Sequence, residues 1–369
     1  MRQHKLTATV NADTLLELRE RLNRKNLTSP MLDLRLRYNE QTQIRDQYLA
    51  HVYHPDYEVQ PVRLYPQFLP TQASGRWSVT KPPLVNFPYD IRDVIVPDPG
   101  HVWVAWDLDA IEAKIVAAFS HDKDDLEAFN NRYDIHTITA CRMLALPLPP
   151  NLIDPHQSPE AEEWRARLKW EGKDDKRRVL AKVRYALLYG KDHTAIHGSK
   201  YERDFISKHN LPKEKIVEAA KLFLRSKPLL TSWKRRTWER IGRTGEARTI
   251  FGRRRRLFGD KWSKAKEGLN HEVQGSVTDM VNTALIEIDQ LPYKPILVYP
   301  SHDAAKHSIP EVYVESDRAQ TIALFKRAVE KPYEIEGEKI VSTATWHIYH
   351  SDGTVEDEDS TTGKWKVHG

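Results

Sequence analysis

Asp107 and Asp303 each follow a short apolar run: Val102-Trp103-Val104-Ala105-Trp106 leads into Asp107-Leu108-Asp109, and Pro295-Ile296-Leu297-Val298-Tyr299 into His302-Asp303. Such runs read as buried strands. If the two strands are neighbours in one sheet, carboxylates almost two hundred residues apart converge. A convergent pair can hold two divalent cations about 3.5–4 Å apart, which activate an attacking hydroxyl and stabilise a leaving phosphate. Oxygen ligands and retained waters suit Mg²⁺, with Mn²⁺ as a substitute. Alone the pairing is a weak signal, because Asp after a strand is most often a turn or cap residue.

A second constellation lies on the helical stretch Lys176 to Gly190. With Arg178 at zero on a helical wheel, Lys182 falls at about +40°, Tyr185 at about −20° and Tyr189 at about +20°. One stripe therefore carries two cations and two rings, which suits a triphosphate on the cations and a base against a ring. The bland alternative is an amphipathic helix with half-buried tyrosines and a solvated basic edge. A third feature is the stretch Arg225 to Arg256, where twelve Lys/Arg face only Glu239 and Glu246, a local balance of +10. Lys234 to Arg240 can be a solvated helix face, but four adjacent guanidiniums at Arg253 to Arg256 repel each other unless a polyanion or carboxylates neutralise them. A phosphate backbone is the simplest partner.

The elements that must position these residues follow from periodicity. Residues 12–50 read as helical, and the Pro-rich stretch 54–100 as extended segments and turns. Ile111, Ile115, Ala118 and Phe119 fall at i, i+4, i+7 and i+8, so a helix follows the first strand. Residues 161–188, 212–242 with a break at Pro228, 268–291 and 319–331 read as further helices, and 339–350 as strand. Glu356-Asp357-Glu358-Asp359 reads as an exposed acidic tail or loop. No repeat of fixed period is present.

Seven short elements in order, covering roughly residues 30 to 330, resemble the family A DNA polymerases. Asp107-Leu108-Asp109-Ala110-Ile111-Glu112 resembles the first palm motif, Asp-Tyr-Ser-Gln-Ile-Glu, and Asp134-Ile135-His136 with Thr139-Ala140 is similar to the Asp-Ile-His-x-x-Thr-Ala signature of the fingers. Ser74-Gly75-Arg76-Trp77-Ser78 and Pro83 to Pro88 resemble Thr-Gly-Arg-Leu-Ser and Pro-Asn-Leu-Gln-Asn-Ile-Pro. Gly252-Arg253-Arg254-Arg255 looks like the Gly-Arg-Arg-Arg element, Asn270 to Gly275 like Asn-x-x-x-Gln-Gly, and Ser301-His302-Asp303 like the last palm motif, normally His-Asp-Glu. The stretch ending at Tyr189-Gly190 is also similar to the nucleotide-binding helix, Arg-x-x-x-Lys-x-x-x-Phe/Tyr-Gly-x-x-Tyr-Gly. Here it departs: the lysine slot holds Ala181 and Lys182 is one residue late, Ala186 replaces Gly, and Ala304 replaces the final Glu.

The resemblance implies an α+β right-hand fold with an antiparallel palm sheet, helical fingers and a partial helical thumb. Its expected divisions are a partial thumb at 1–70, palm at 71–125, fingers at 126–250, palm again at 251–350 and an acidic tail at 351–369. It implies Asp107, Asp303 and the Leu108 carbonyl as metal ligands. Glu112, His136, Arg177 or Arg178, Lys182, Tyr185 and Tyr189 are expected around the nucleotide, with Lys182 as a catalytic phosphate contact. Arg76, Arg253, Arg254, Arg255, Lys266, Asn270, Gln274 and His302 are expected on DNA. Glu112 with Tyr189 implies deoxynucleotide selection, although a carboxylate at a helix N-terminus also has a dipole rationale.

The expected activity is template-directed DNA synthesis with primer-template DNA and dNTPs as partners and no exonuclease of its own. The departures motivate an alternative, a polymerase-like DNA-binding or accessory protein with weak or no catalysis. Ribonucleotide incorporation is a third reading. At 369 residues the chain has room for two or three lobes, and 40% hydrophobic residues suffice for a core. One Cys, no apolar span and no signal peptide point to a soluble protein of a reducing compartment without a disulfide framework, the cytoplasm of a bacterium or a virus-infected cell, while the slight net charge of +5 says little about partners. A separate chain is expected to supply the rest of a thumb or a nuclease.

Overall fold

A computed structural model describes residues 12–23, 25, 27–51, 63–88, 91, 95–148, 176–190, 213–359 and 362–368. The organising element is an antiparallel six-stranded sheet. Its strands are β3 (His101–Leu108), β6 (Ile296–Pro300), β7 (Ala304–Pro310), β10 (Ala344–Tyr349), β11 (Val355–Glu358) and β12 (Trp365–His368), in the order β12-β11-β10-β3-β7-β6. Three small hairpins flank it: β1 (Gln67–Leu69) with β2 (Ser78–Thr80), β4 (Glu246–Arg248) with β5 (Arg254–Arg256), and β8 (Pro332–Ile335) with β9 (Glu338–Val341).

Strand β3 lies between β7 and β10, and both its faces are covered for most of its length. Val102, Val104 and Trp106 are at most 1% exposed, and Trp103 and Ala105 are also buried. This explains the unbroken apolar run in the sequence, since a strand without a solvent face needs no alternation. Asp107 is the first outward departure, with Ala304 opposite it on β7 and Thr345 opposite it on β10.

Eleven helices surround the sheet among the described residues: α1 (Ala12–Asn23), α2 (Pro30–Gln47), α3 (Ile111–Ser120), α4 (Lys123–Asn130), α5 (Ile135–Met143), α6 (Lys176–Leu188), α7 (Lys213–Ser226), α8 (Pro228–Thr244), α9 (Lys261–Asn270), α10 (Ser276–Asp289) and α11 (Val312–Val329). Helix α3 is buried on every side except at Glu112. Local chemistry sets the boundaries. Asp122, Asp134 and Asp260 cap α4, α5 and α9 through their side chains, Pro228 opens α8 at a position that needs no amide hydrogen, and Gly245 closes it in the left-handed conformation.

Three expectations need correction. The apolar strand before Asp303 is β6, but the strand beside β3 is β7, which begins only at Ala304; Asp303 stands in the turn between them. The acidic segment at 356–359 is not an exposed tail. Glu356 to Glu358 belong to β11, paired with β10 and β12, and Glu356 is buried against Arg318 and His350. Arg318 and Lys326 of α11 pair with Glu356 and Glu358, so the run joins the sheet. The stretch expected as one helix over 268–291 is two, α9 and α10, joined by a π-turn at His271–Gly275. Residues 161–175 lie outside the described residues.

Candidate active site

The acid pair is built by a tight turn. Ser301 donates its amide hydrogen to the Ala304 carbonyl at 2.7 Å, leaving His302 and Asp303 as the two central residues, and the Leu108 amide donates to the Asp303 carbonyl at 2.9 Å. Asp303 is thereby tied to the end of β3 beside Asp107. Ala110, in the left-handed region at φ 47°, turns the chain from Asp109 into α3 and sets Glu112 in its first turn.

Around the pair opens a cleft of about 630 Å³, lined among others by Arg76, Leu108, Glu112, Tyr185, Gln274 and His302. Loss of solvation, then the Asp303 and Asp109 carboxylates, push Asp107 up to about 7. Asp303 is raised as well, mainly by loss of solvation and against the pull of Arg76. Two acids that resist ionising together are a fitting seat for divalent cations, which would remove the repulsion. Among the described residues no cluster of three or more His, Cys, Asp or Glu side chains is arranged for a metal, so such a site would rest on these two carboxylates and a backbone oxygen.

One wall of the cleft is a polar cluster. Arg76 Nη2 donates to Glu112 Oε1 at 2.6 Å, and the Tyr189 hydroxyl lies beside Glu112 and Gln274. Burial raises Glu112, while Tyr189 and Arg76 oppose the rise. His302 is lowered by burial and then by Arg76. Arg76 is held from behind: Gly75, at φ 87°, lies flat on the Arg253 guanidinium, and a Cβ there would meet Arg253 nitrogens at 3.0 Å. The adjacent Trp77 donates to Asn282 of α10 at 2.9 Å.

Helix α6 supplies the opposite wall. Tyr185 faces the cleft, its hydroxyl pushed up to about 12 by burial, with the His136 ring 6.3 Å away on α5. Lys182 is exposed and Ala181 is buried. The side chains of Arg177 and Arg178 lie outside the described ones. At the end of the helix Gly190, at φ 81°, allows Trp238 to pack where a Cβ would come within 2.7 Å of its ring.

The expected DNA residues differ in their surroundings. Gln274 and His302 line the cleft, Asn270 is half-buried on α9, and Lys266 is exposed on the same helix. Arg254 and Arg256 are exposed on β5. Arg253, expected on the backbone, is instead a clasp: its guanidinium donates to Asp279 at 2.7 Å, the Ser74 carbonyl at 2.9 Å and the Gly275 carbonyl at 3.1 Å. Arg255 donates to Glu267 at 2.7 Å. Strand alternation turns Arg253 and Arg255 inward and Arg254 and Arg256 outward.

Residues that sequence reasoning missed include Thr345, which donates to Asp109 at 2.8 Å, and His347, held 2.5 Å from Asp357; both line the cleft from β10. Alternation within 344–349 put them on one face, but nothing local places β10 beside β3.

A sequence model described as DNA polymerase family A matches residues 1–329. The chain belongs to this family. Among its relatives, the thermostable DNA polymerase I of Thermus filiformis is 29% identical over 334 residues, 83% of this chain and 35% of that protein. The DNA polymerase of Mycobacterium phage D29 is 28% identical over 250 residues, 65% of this chain and 35% of that one. The chain thus spans about a third of the length of these family members. A solved structure, the POL domain of Pol1 from M. smegmatis in complex with DNA primer-template and dNTP, shares the fold with a TM-score of 0.68 at 22% identity, covering 96% of this chain and 58% of that one. Among the described residues no helix is long and apolar enough to cross a membrane.

Proposed function

We propose that this chain is a template-directed DNA polymerase that adds a dNMP from a dNTP to a primer 3′-hydroxyl. The observation that carries the reading is the meeting of Asp107 and Asp303 at a hydrogen-bonded turn, in a chain of the polymerase A family. The likeness to a polymerase domain bound to primer-template and dNTP supports the same partners here.

In this reading Asp107, Asp303 and the Leu108 carbonyl would hold two Mg²⁺ ions, which supply activation of the primer hydroxyl and charge stabilisation at the leaving pyrophosphate. The protein's own part is positioning and exclusion. Tyr185 and Tyr189 would offer ring faces to the nucleotide, and His136 and Lys182 would contact its phosphates. Glu112, held by Arg76 with the Tyr189 hydroxyl beside it, would exclude a ribose 2′-hydroxyl and so favour deoxynucleotides. Gln274, Asn270 and His302 would meet the primer end, with the minor-groove acceptors common to all base pairs suiting a sequence-tolerant enzyme. Arg254 and Arg256 would follow the backbone.

The six-stranded sheet is the palm in this reading, built from residues 71–125 and 251–368. Residues 126–250 are the fingers, and α1 and α2 are part of a thumb. A partner chain takes support from α2, where Met31, Leu34 and Tyr38 form one exposed apolar stripe. Size measurement on the purified protein, together with processivity on long templates, tests that point; a monomer that copies long tracts would count against it.

Primer extension by wild type and by Asp303→Asn tests the main reading. Wild type extends with dNTPs and Mg²⁺ and the variant does not. Absence of extension by wild type with Mg²⁺ and Mn²⁺ would sink it.

A further inference from the structure

Four charged side chains are buried together where α4, α6 and α8 meet. Arg184 of α6 is 1% exposed, Lys227 before α8 is 2%, and Asp122 and Asp125 at the start of α4 are 7% and 6%. Arg184 donates one branch of its fork to Asp125 at 2.8 Å and the other to Thr139 of α5 at 3.2 Å. Lys227 Nζ donates to Asp125 at 2.6 Å and to Asp122 at 2.9 Å. Burial works against the Asp125 carboxylate, but Arg184 and Lys227 outweigh it and hold its carboxyl below the usual range. Arg142 closes the outer side, 3.4 Å from Asp125 and 3.0 Å from the exposed Asp124.

A buried ion cluster is a weak source of net stability, because the desolvation of each ion rivals its attraction to the others. Its geometric effect is definite. Each charge is compensated in one place only, so a helix carrying one of them cannot turn or slide without stranding it. Arg184 and Tyr185 are consecutive and point about 100° apart on α6. With Arg184 locked toward Asp125, Tyr185 is directed at the cleft, and Tyr189, one turn further, stays against Glu112. Thr139 lies one turn beyond His136, so the same fork ties α5 to α6. Helix α8 grips the far end: Lys234 Nζ donates to the Leu187 carbonyl at 2.7 Å, and Trp238 packs against Gly190.

We propose that Arg184 is a positioning residue for the incoming nucleotide. Held by Asp125 and Lys227, it fixes the rotation of α6 and thereby sets affinity for the dNTP rather than for DNA. The inference rests on reading α6 as the nucleotide-binding helix.

Its test compares wild type, Arg184→Gln, Arg184→Lys and Arg142→Gln for dNTP KM, kcat and primer-template Kd. Arg184→Gln raises KM roughly tenfold or more, as expected when a positioning group is lost. Arg184→Lys, which keeps the charge, recovers most of that loss. Primer-template Kd stays within about twofold throughout. Arg142→Gln removes an ion pair from the same Asp125 without touching α6, and leaves KM unchanged. Unaltered KM in Arg184→Gln, or an equal rise in Arg142→Gln, overturns the proposal. Should Arg184→Gln fail to fold, Arg184→Lys decides alone, because loss of the fork must still raise KM above wild type. If wild type itself does not extend a primer, the polymerase reading falls and takes this one with it; if it extends and KM is indifferent to Arg184, only the positioning role falls.

Discussion

The backbone amide of Leu108 donates to the carbonyl of Asp303 at 2.9 Å. A main-chain bond thus joins the residue after one acid to the other acid and ties the turn that carries Asp303 to the end of β3. The pair is held in place with or without cations, which makes it costly in the metal-free protein.

That cost should appear as a pH dependence of stability. Asp107 has an ordinary value of 3.8 and is pushed up to about 7 in the folded chain. Between these values the native state keeps a proton that the unfolded chain has lost, so stability falls as pH rises through this window and levels off above it. Thermal melting in EDTA from pH 5 to 8 should show this slope in wild type and a flatter one in Asp107→Asn. The variant should melt higher than wild type at pH 8 and yet lose extension, whereas parallel pH curves would exclude the assignment. Mg²⁺ should raise the wild-type melting temperature most on the alkaline side, where both carboxylates are ionised.

Sugar selection should depend on Glu112. Glu112→Ala removes the carboxylate that Arg76 holds in the cleft wall. Discrimination between dNTP and rNTP, measured as the ratio of kcat/KM values, should fall by roughly 10- to 100-fold, the scale of a lost contact in a shaped pocket. An unchanged ratio would return Glu112 to a helix-terminus role.

Gly190→Ala tests the packing beneath the nucleotide helix. The added methyl would meet Trp238 at 2.7 Å, at a backbone φ of 81°. Left-handed strain and overpacking together should cost about 2–4 kcal/mol in urea unfolding.

The arginine run should divide in two. Arg254→Ala or Arg256→Ala, each losing an outward guanidinium, should reduce the slope of log K for DNA against log salt by about 0.9. Arg253→Met should leave that slope nearly unchanged but lose about 1.5–3 kcal/mol of stability, because its partners are Asp279 and two carbonyls. Equal slopes for all three variants would contradict the alternation of facing.

Local signals in the sequence were reliable where structure is local. The apolar run before Asp107, the i, i+4, i+7 and i+8 spacing of α3 and the break at Pro228 all correspond to observed boundaries. What escaped depends on distant neighbours. Arg184 and Lys227 look like solvated cations in sequence, and only their approach to Asp125 makes them buried partners. Arg253 cannot be told from Arg254 without β4, which turns alternate arginines to opposite sides. The acidic segment 356–359 reads as a tail until Arg318 and His350 stand beside it. Thr345 and His347 were part of a recognised strand, but its place beside β3 follows from pairing across most of the chain.

That last pairing has a consequence for synthesis. Thr345 and Asp109 are hydrogen-bonded at a separation of 236 residues. At about 5–20 residues per second, a ribosome needs roughly 12 to 50 seconds between making β3 and making the strand that flanks it. Until β7 is made, late in that interval, β3 is an apolar segment with neither sheet neighbour available. A product that ends between β7 and β10 carries both aspartates without a finished floor beneath them.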